Sequence, residues 1–456
     1  MTKNSIVLRT DSYKFTQFPQ YPKNTTKVFS YIESRGGVFK KSLFVGLQYY
    51  LKEYLTKPVT MEQVEYAKVR TAKHGVPFNY EGWKYIVEKH NGKLPLKIRA
   101  VKEGTILPVS NVLVTVENTD DKCFWLTSYV ETLLLKVWYP ITVATNSREC
   151  KNIIASFLSE TADDMGGLPF KLHDFGYRGV SSEESAAIGG MAHLVNFSGT
   201  DTFAALELIS DHYHEDMAGF SIPATEHSTI TSWGREGEFE AYKNIVELYK
   251  NSPIFACVSD SFNIYEAIKM WGKLKDKIVA NGNTLVVRPD SGDPIKMSLE
   301  CCQLLDKEFG SLINKKGYKV LKNVRVIYGD GISGPDAIRQ ILLNLVKHGY
   351  SADNIAFGCG GGLLQKLDRD TMKFAMKCSA IVVADGKVIQ VYKDPITDPG
   401  KKSKKGFLDL IKVDGEYQTI EMSSSEPHEK SELVTVFENG ELLVDYTFEE
   451  IRKTAK

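Results

Sequence analysis

Three short apolar runs in the second half of the chain each stop at a polar or glycine-rich turn, and no other feature restricts the fold as tightly. Leu285-Val286-Val287 runs into Arg288-Pro289-Asp290-Ser291-Gly292-Asp293-Pro294. Val324-Arg325-Val326-Ile327-Tyr328 runs into Gly329-Asp330-Gly331, and Ile355-Ala356-Phe357 into Gly358-Cys359-Gly360-Gly361-Gly362. Short β-branched runs of this kind read as parallel strands buried on both faces, and the turn after such a strand is where α/β enzymes hold their chemistry. Here the turns supply an arginine, the carboxylates of Asp290 and Asp330, and glycine N–H groups. Carboxylates hold hydroxyls, while N–H groups and cations hold phosphate, so the set suits a phosphorylated sugar.

Between about 170 and 385, strand-like runs alternate with amphipathic stretches. The runs lie near 169–173, 193–197, 219–223, 254–258, 284–287, 324–328, 355–357 and 379–384. The amphipathic stretches include Ser182 to Gly190, Ala204 to His212, Gly237 to Tyr249 and Asp336 to His348. Alternation of this kind implies parallel βαβ units, and about eight of them suggest a closed β/α barrel. The flanks differ. Leu96 to Ala100 alternates as an antiparallel strand does, and Glu438-Asn439-Gly440-Glu441 carries the Asn-Gly of a type I′ hairpin turn. The expected architecture is an α/β chain with a β/α barrel catalytic domain over 166–385. A second, sheet-rich α+β domain is expected from both chain ends, 1–165 with the N-terminal helices and 386–456.

Basic and acidic residues number 57 each, so no global field recruits nucleic acid or an acidic membrane surface, and any anion site must be local. The seven cysteines are odd in number, form no C-x-x-C and include an adjacent pair, which suits neither a disulfide framework nor a zinc cage. No apolar stretch approaches the ~18 residues of a membrane span, and the first residues lack the apolar core of a signal peptide. A soluble, cytoplasmic protein is expected.

Each candidate group has a bland reading beside the sharp one. Arg288 and Asp290, two apart on an extended strand end, project to the same side; they could bind a sugar phosphate or pair with each other. The glycines at 358 and 360–362 precede Leu363-Leu364-Gln365-Lys366-Leu367, a helix start, and so could form an anion cradle or a flexible turn. His227 follows a strand, with Glu226 adjacent and a Ser-Thr pair able to cap the next helix; it is structural, or, if it joins the other strand ends, an acid, base or nucleophile. His212 and His214 form an H-x-H pair that invites a metal, but they end a helical run and read better as solvated histidines. In Asp174-Phe175-Gly176-Tyr177-Arg178-Gly179, Phe175 is either core or a stacking platform beside a cation.

These segments resemble the nicotinamide phosphoribosyltransferases of the nicotinate phosphoribosyltransferase family. The resemblance is carried by Thr10-Asp11-Ser12-Tyr13-Lys14, His173 to Gly179, Gly199-Thr200-Asp201-Thr202, Glu226-His227-Ser228-Thr229, Arg288 to Gly292, Gly329-Asp330-Gly331, the triple glycine with Leu-Leu-Gln-Lys-Leu, and Lys401 to Gly406. It runs in one order from about residue 8 to 453. It implies a type II phosphoribosyltransferase fold and a magnesium-dependent homodimer with shared active sites. The implied reaction joins nicotinamide to 5-phosphoribosyl-1-pyrophosphate in NAD salvage, optionally coupled to ATP hydrolysis through a phosphohistidine.

By the same resemblance, Phe175 and the partner subunit's Tyr13 would sandwich the pyridine ring, and Asp201 would accept from the carboxamide NH₂. Arg288 and Asp290 would hold the ribosyl group near the anomeric carbon. Gly329, Asp330, Gly360 and Gly361 would bind ribose and 5′-phosphate. Arg178, Arg369, Lys377 and, across the dimer, Arg35, Lys393 and Lys401 would gather phosphate and pyrophosphate oxygens. His227 matches the phosphorylatable histidine and would contribute to the pyrophosphate site, with Glu226 and Asp260 orienting its imidazole. Two departures stand out: Cys359 is expected to sensitise its loop to oxidation, and Arg35-Gly36-Gly37 softens the segment that carries Arg35.

Departure of pyrophosphate leaves an oxocarbenium-like centre, so cations must neutralise the leaving group while stacking places the pyridine nitrogen in line. That nitrogen is already nucleophilic and needs no strong base. Nicotinate phosphoribosyltransferase is the nearest rival reading, and the acidic Asp201 opposes it, because it would repel a carboxylate. A metal-dependent barrel hydrolase using His212, His214 and His227 is the rival from another class.

Overall fold

The computed structural model describes residues 5–397 and 402–456. The chain forms two compact units. One takes residues 146–210 and 216–367; the other takes the residues up to Thr145, the short stretch Asp211–Glu215, and Asp368 onward.

The first unit is built on a six-stranded parallel sheet in the order Gly199–Thr200, Leu172–Asp174, Ile355–Cys359, Val324–Tyr328, Thr284–Arg288, Ile254–Val258. Its two edges do not stay open. Phe220 bridges to Gly199 and Ala224 bridges to Ala256, both in the parallel sense, so the 220–224 segment spans the gap between the edge strands. Thr200 N–H donates to Phe220 O at 3.0 Å and Ala256 N–H to Pro223 O at 2.9 Å. The interior packs Ala256, Val286 and Ile327 with Phe175, Ile222, Ile254 and Ala356. The intervening positions Leu285, Val287, Val326 and Phe357 are fully buried on the other face. Both faces are therefore largely buried, which is why these runs are mainly apolar rather than strictly alternating.

Helix starts follow their caps. Asp293 accepts from Lys296 N–H, with Pro294 at the first helical position of Pro294–Phe309, and Asn263 caps Ile264–Ala280. Asp293 is thereby occupied as a cap. The expected amphipathic stretches appear as Glu183–Leu194, Phe203–Tyr213, Glu238–Leu248 and Pro335–Lys347.

Two expected barrel strands are something else. The 193–197 run completes and follows the helix Glu183–Leu194, buried on all sides; an apolar run of five residues cannot distinguish a buried helix end from a buried strand. The 379–384 run belongs to Phe374–Val383, which pairs antiparallel with Thr25–Ser34.

That pairing belongs to the second unit. Its seven-stranded sheet runs Val388–Gln390, Phe374–Val383, Thr25–Ser34, Val112–Asn118, Leu96–Val101, Leu433–Glu438, Glu441–Leu442, so both chain ends contribute. The Asn439-Gly440 turn joins the last two strands with positive φ at both residues, as a type I′ turn requires. No helix among the described residues is long and apolar enough to cross a membrane.

Candidate active site

Parallel register brings the C-terminal strand ends of the first unit level with one another. Cys359 pairs with Asp174, Asp174 with Thr200, and Val258 with Arg288. Phe175, Asp201, Asp260, Arg288, Asp290, Gly329 and Gly360 all sit at or just past these ends.

Asp201 is held from two sides. His173 Nε2 lies 2.8 Å and Ser221 Oγ 2.6 Å from its Oδ1, while its own N–H donates to Asp174 O at 2.9 Å. Burial would raise the Asp201 carboxyl, but the bonds from His173 and Ser221 and the charge of Arg288 outweigh it and hold the group below its usual range. The His173 ring leans on Phe175, centroids 4.8 Å apart at 41°. The Arg288 guanidinium lies 5.9 Å from the Phe175 centroid. Phe175 thus faces the site as well as packing on the barrel core. Its ring needs the bare backbone of Gly358, where a Cβ would come within 2.3 Å of Cε2.

Arg288 and Asp290 do pair, but at 3.7 Å this is an ion pair without a hydrogen bond. Arg288 Nε is buried and has no protein acceptor. A buried guanidinium N–H left open in this way is suited to a ligand oxygen. The loop behind it is anchored twice. Asp260 Oδ2 accepts from Asp290 N–H at 2.8 Å and Ser291 Oγ at 2.6 Å, and Tyr328 OH donates to Gly292 O at 2.9 Å. Asp260 Oδ1 meets His227 Nε2 at 3.0 Å. Burial works to raise Asp260, and these donors, Ser291 foremost, bring it below the ordinary carboxylate range.

His227 opens the short helix His227–Thr231 and is half exposed. Glu226 does not orient it: the Glu226 carboxylate accepts from Ser228 Oγ, so the expected pair of orienting acids reduces to Asp260, and Ser228 is not a helix cap. The glycine loop differs as well. Gly361–Leu364 is a single helical turn, too short for an appreciable dipole, so any anion cradle there rests on N–H groups alone. Gly361 has open space where a side chain would be, and Gly179, next to Arg178, stands 3.5 Å from its nitrogen measured from a built Cβ. Arg178 and Asp330 are exposed. A Cβ on Gly329 would stand 3.0 Å from Asp290 Oδ1.

Cys359 is buried, donates to Ile332 O at 3.1 Å, and burial pushes its thiol up to about 12. The expected oxidation sensitivity does not fit that environment.

The remaining candidates lie in the second unit. Lys377 sits opposite Tyr31 in the pairing of Phe374–Val383 with Thr25–Ser34. Burial depresses its ammonium, and the cations Arg35, Lys14 and Arg369 depress it further against the pull of Glu131. Four basic groups thus crowd one region. Arg35 is anchored by Glu33 at 2.9 Å and its Nη2 is buried without a protein acceptor. Gly36 and Gly37 do not soften this segment: a Cβ on Gly37 would lie 2.2 Å from Thr371 O, so the glycine permits a tight backbone approach. Arg369 pairs with Asp370 at 3.2 Å, Lys393 N–H donates to Ser403 Oγ while its carbonyl accepts from Ser403 N–H, and Tyr13 is 58% exposed beneath Lys14. Lys401 lies outside the described residues.

His212 and His214 are also in this unit. His212 packs edge-on against Tyr49, and His214 bonds Asp445 at 3.0 Å. Neither they nor His227 belong to a group of three potential metal ligands among the described residues, so the hydrolase ligand set gains no support. Sequence reasoning gave no role to His173, Ser221 or Ser291. His173 and Phe175 are two apart on a strand end, the same spacing that singled out Arg288 and Asp290, so His173 could have been found.

A family model described as "Nicotinate phosphoribosyltransferase (NAPRTase) family" matches residues 170–441, and one described as "Nicotinamide phosphoribosyltransferase, N-terminal domain" matches residues 5–98. The chain is 54% identical over 461 residues to a nicotinamide phosphoribosyltransferase of Xanthomonas campestris pv. campestris, covering 99% of this chain and 98% of that one. It is 32% identical over 484 residues to one of Acinetobacter baylyi, covering 97% and 95%. Among solved structures, the nicotinate-nucleotide pyrophosphorylase from Pyrococcus furiosus superposes with a TM-score of 0.63 at 16% identity, over 100% of this chain and 96% of that one. Human nicotinic acid phosphoribosyltransferase gives 0.57 at 14% identity, over 98% and 92%. At such identities these two structures speak for the fold alone, a mixed α/β fold of the type II phosphoribosyltransferase kind.

Proposed function

The chain belongs to the nicotinate phosphoribosyltransferase family, and from that premise we propose that it joins nicotinamide to 5-phosphoribosyl-1-pyrophosphate, forming nicotinamide mononucleotide and pyrophosphate in NAD salvage. The observation that carries the choice of pyridine is the Asp201 carboxylate, kept ionised by His173 and Ser221 beside the Phe175 ring. A carboxylate there accepts from an amide NH₂ and repels the carboxylate of nicotinate.

In this reading Phe175 stacks the pyridine ring and Asp201 fixes its rotation, which aims the ring nitrogen at the anomeric carbon. Arg288, with its open Nε, and Asp290 hold the ribosyl group. Gly329, Asp330, Gly360 and Gly361 take ribose and 5′-phosphate, and Arg178 sits beside that loop. The crowded cations Lys377, Arg35 and Arg369 suit a polyanionic leaving group, with Lys393 and Lys401 assigned to the same role. The exposed Tyr13 would close the pyridine site of a partner copy, so a homodimer is part of the proposal.

Magnesium fits the residues present. Asp290 and Asp330 follow neighbouring strands, and Mg²⁺ is ordinarily held by one or two carboxylates together with substrate phosphates. Those two residues would hold it, where it would offset pyrophosphate charge. ATP is the proposed coupled substrate. With Nε2 engaged by Asp260, Nδ1 of the half-exposed His227 is the ring nitrogen open to a phosphoryl group. The seven cysteines are unpaired, in keeping with a reducing cytoplasm.

The test is incubation with phosphoribosyl pyrophosphate, Mg²⁺ and either pyridine. Mononucleotide is expected from nicotinamide, and a preference for nicotinate would overturn the assignment.

A further inference from the structure

Both donors to Asp201 converge on one oxygen. His173 Nε2 and Ser221 Oγ each bond Oδ1, and among the described residues no protein donor is directed at Oδ2. An ionised carboxylate only accepts, so the His173 hydrogen must be on Nε2. The imidazole is largely enclosed, with 12% of its side chain exposed, whereas 44% of the Asp201 side chain is open. Its Nδ1 edge lies against Gly199, where a Cβ would come within 2.8 Å of Nδ1. Its face leans on Phe175. The histidine is therefore wedged between a bare backbone and the stacking ring, and its one engaged N–H points at the carboxylate.

We propose that His173, with Ser221, is the positioning residue that sets the choice of pyridine: it pins Oδ1 of Asp201, turns Oδ2 toward the ligand's exocyclic group, and ties that oxygen to the Phe175 ring. The inference rests on the nicotinamide reading given above and adds to it the residue through which Asp201 acts. A carboxylate held by one oxygen offers the other at a fixed place, and a fixed acceptor discriminates between NH₂ and O⁻ better than a rotating one. His173 touches neither the sugar nor the phosphate groups in this account, so its removal should spare their binding.

The experiment compares His173→Phe, His173→Gln and Ser221→Ala with the unsubstituted protein, measuring kcat and KM for nicotinamide and for nicotinate, KM for phosphoribosyl pyrophosphate, and Tm. Phenylalanine keeps a ring against Phe175 and loses the donor; glutamine keeps an N–H donor. Expected for His173→Phe is a rise of about tenfold in nicotinamide KM, the scale of one lost bond to a charged group. The nicotinamide-to-nicotinate ratio of kcat/KM should fall at least as far, with KM for phosphoribosyl pyrophosphate unchanged. His173→Gln should recover most of the ratio, and Ser221→Ala should lower it about threefold.

A ratio unchanged in both His173→Phe and Ser221→Ala overturns the proposal. So does a fall in kcat with every substrate alike. Should His173→Phe not fold, Ser221→Ala and His173→Gln decide by the same ratio. Failure of the underlying reading is separate: the unsubstituted protein would then make no nicotinamide mononucleotide at all.

Discussion

Asp260 Oδ1 lies 3.0 Å from His227 Nε2, while Oδ2 of the same carboxylate accepts from Asp290 N–H and Ser291 Oγ. One side chain thus ties the histidine to the loop that carries Arg288 and Asp290. Any charge placed on the imidazole is felt by a carboxylate that also holds that loop, which is the route the proposed phosphorylation of His227 would use.

Asp260→Asn removes the charge and replaces one acceptor oxygen with a donor, so the histidine and the loop both lose a charged acceptor. Bonds to a charged acceptor are worth roughly 1.5–3 kcal/mol. Steady-state kinetics should show kcat/KM for phosphoribosyl pyrophosphate down about tenfold to a hundredfold. Stimulation by ATP should disappear in parallel, as it should in His227→Ala, which keeps slow ATP-independent turnover. Full ATP stimulation in either variant would refute the coupling.

Acid stability follows from the same carboxylate. Asp260 is held below its unfolded value of about 3.9. Below that value the unfolded state binds the proton more readily than the folded one. The stability it contributes is therefore present above about pH 3.9 and is lost as pH falls through its lower folded value. Asp201 acts in the same direction, whereas Asp174, buried and raised, acts in the opposite one. Denaturant unfolding from pH 6 downward should show a shallower acid loss for Asp260→Asn than for the unsubstituted protein; identical pH slopes would count against the assignment.

Asp201→Asn removes the like-charge barrier to nicotinate. A preference for nicotinamide of at least about a hundredfold, roughly 3 kcal/mol, is expected in the unsubstituted protein. Competition assays with both pyridines should show that preference narrowing in the variant, mainly through better use of nicotinate.

Gly358, in the strand Ile355–Cys359, and Gly361, opening the next helical turn, should respond differently to alanine. At Gly358 the new Cβ would meet the Phe175 ring at 2.3 Å, so the ring must move. A loss of about 1–3 kcal/mol in stability and a raised nicotinamide KM should follow. At Gly361 nothing lies within 4 Å, so Tm should hold and any effect should fall on phosphoribosyl pyrophosphate. Calorimetry and kinetics on the pair would check this.

Cys359 should resist modification in the folded protein, since its thiol is buried and held at about 12. Mass spectrometry after brief alkylation should find it unlabelled in native buffer and labelled in denaturant.

The four strands from Ile254–Val258 to Ile355–Cys359 were legible because each is a short apolar run closed by a turn, and that signal is local. The 379–384 run carried the same local signal, yet it pairs with a strand about 350 residues earlier in the chain, which no window of sequence contains. Arg288 and Asp290 were legible as a pair for the reason that two-residue spacing puts them on one side of a strand. Glu226 looked like an orienting acid because it is adjacent to His227, and adjacency along a helix start sent it to Ser228 instead.

Residue order alone settled which groups stand at the ends of the barrel strands, since a strand's apolar run and its closing turn are written within a few positions. What those groups do to one another was decided in three dimensions. Asp260 reaches a histidine 33 positions away and the Asp290–Ser291 loop about 30 away, Asp201 reaches a histidine 28 positions away, and each carboxylate owes its lowered proton affinity to such meetings, with Ser291 foremost for Asp260 and His173 for Asp201. Hydrogen bonds and charges act through space over a few ångströms, so only the closing of the sheet, strand against strand in register, could bring them into range.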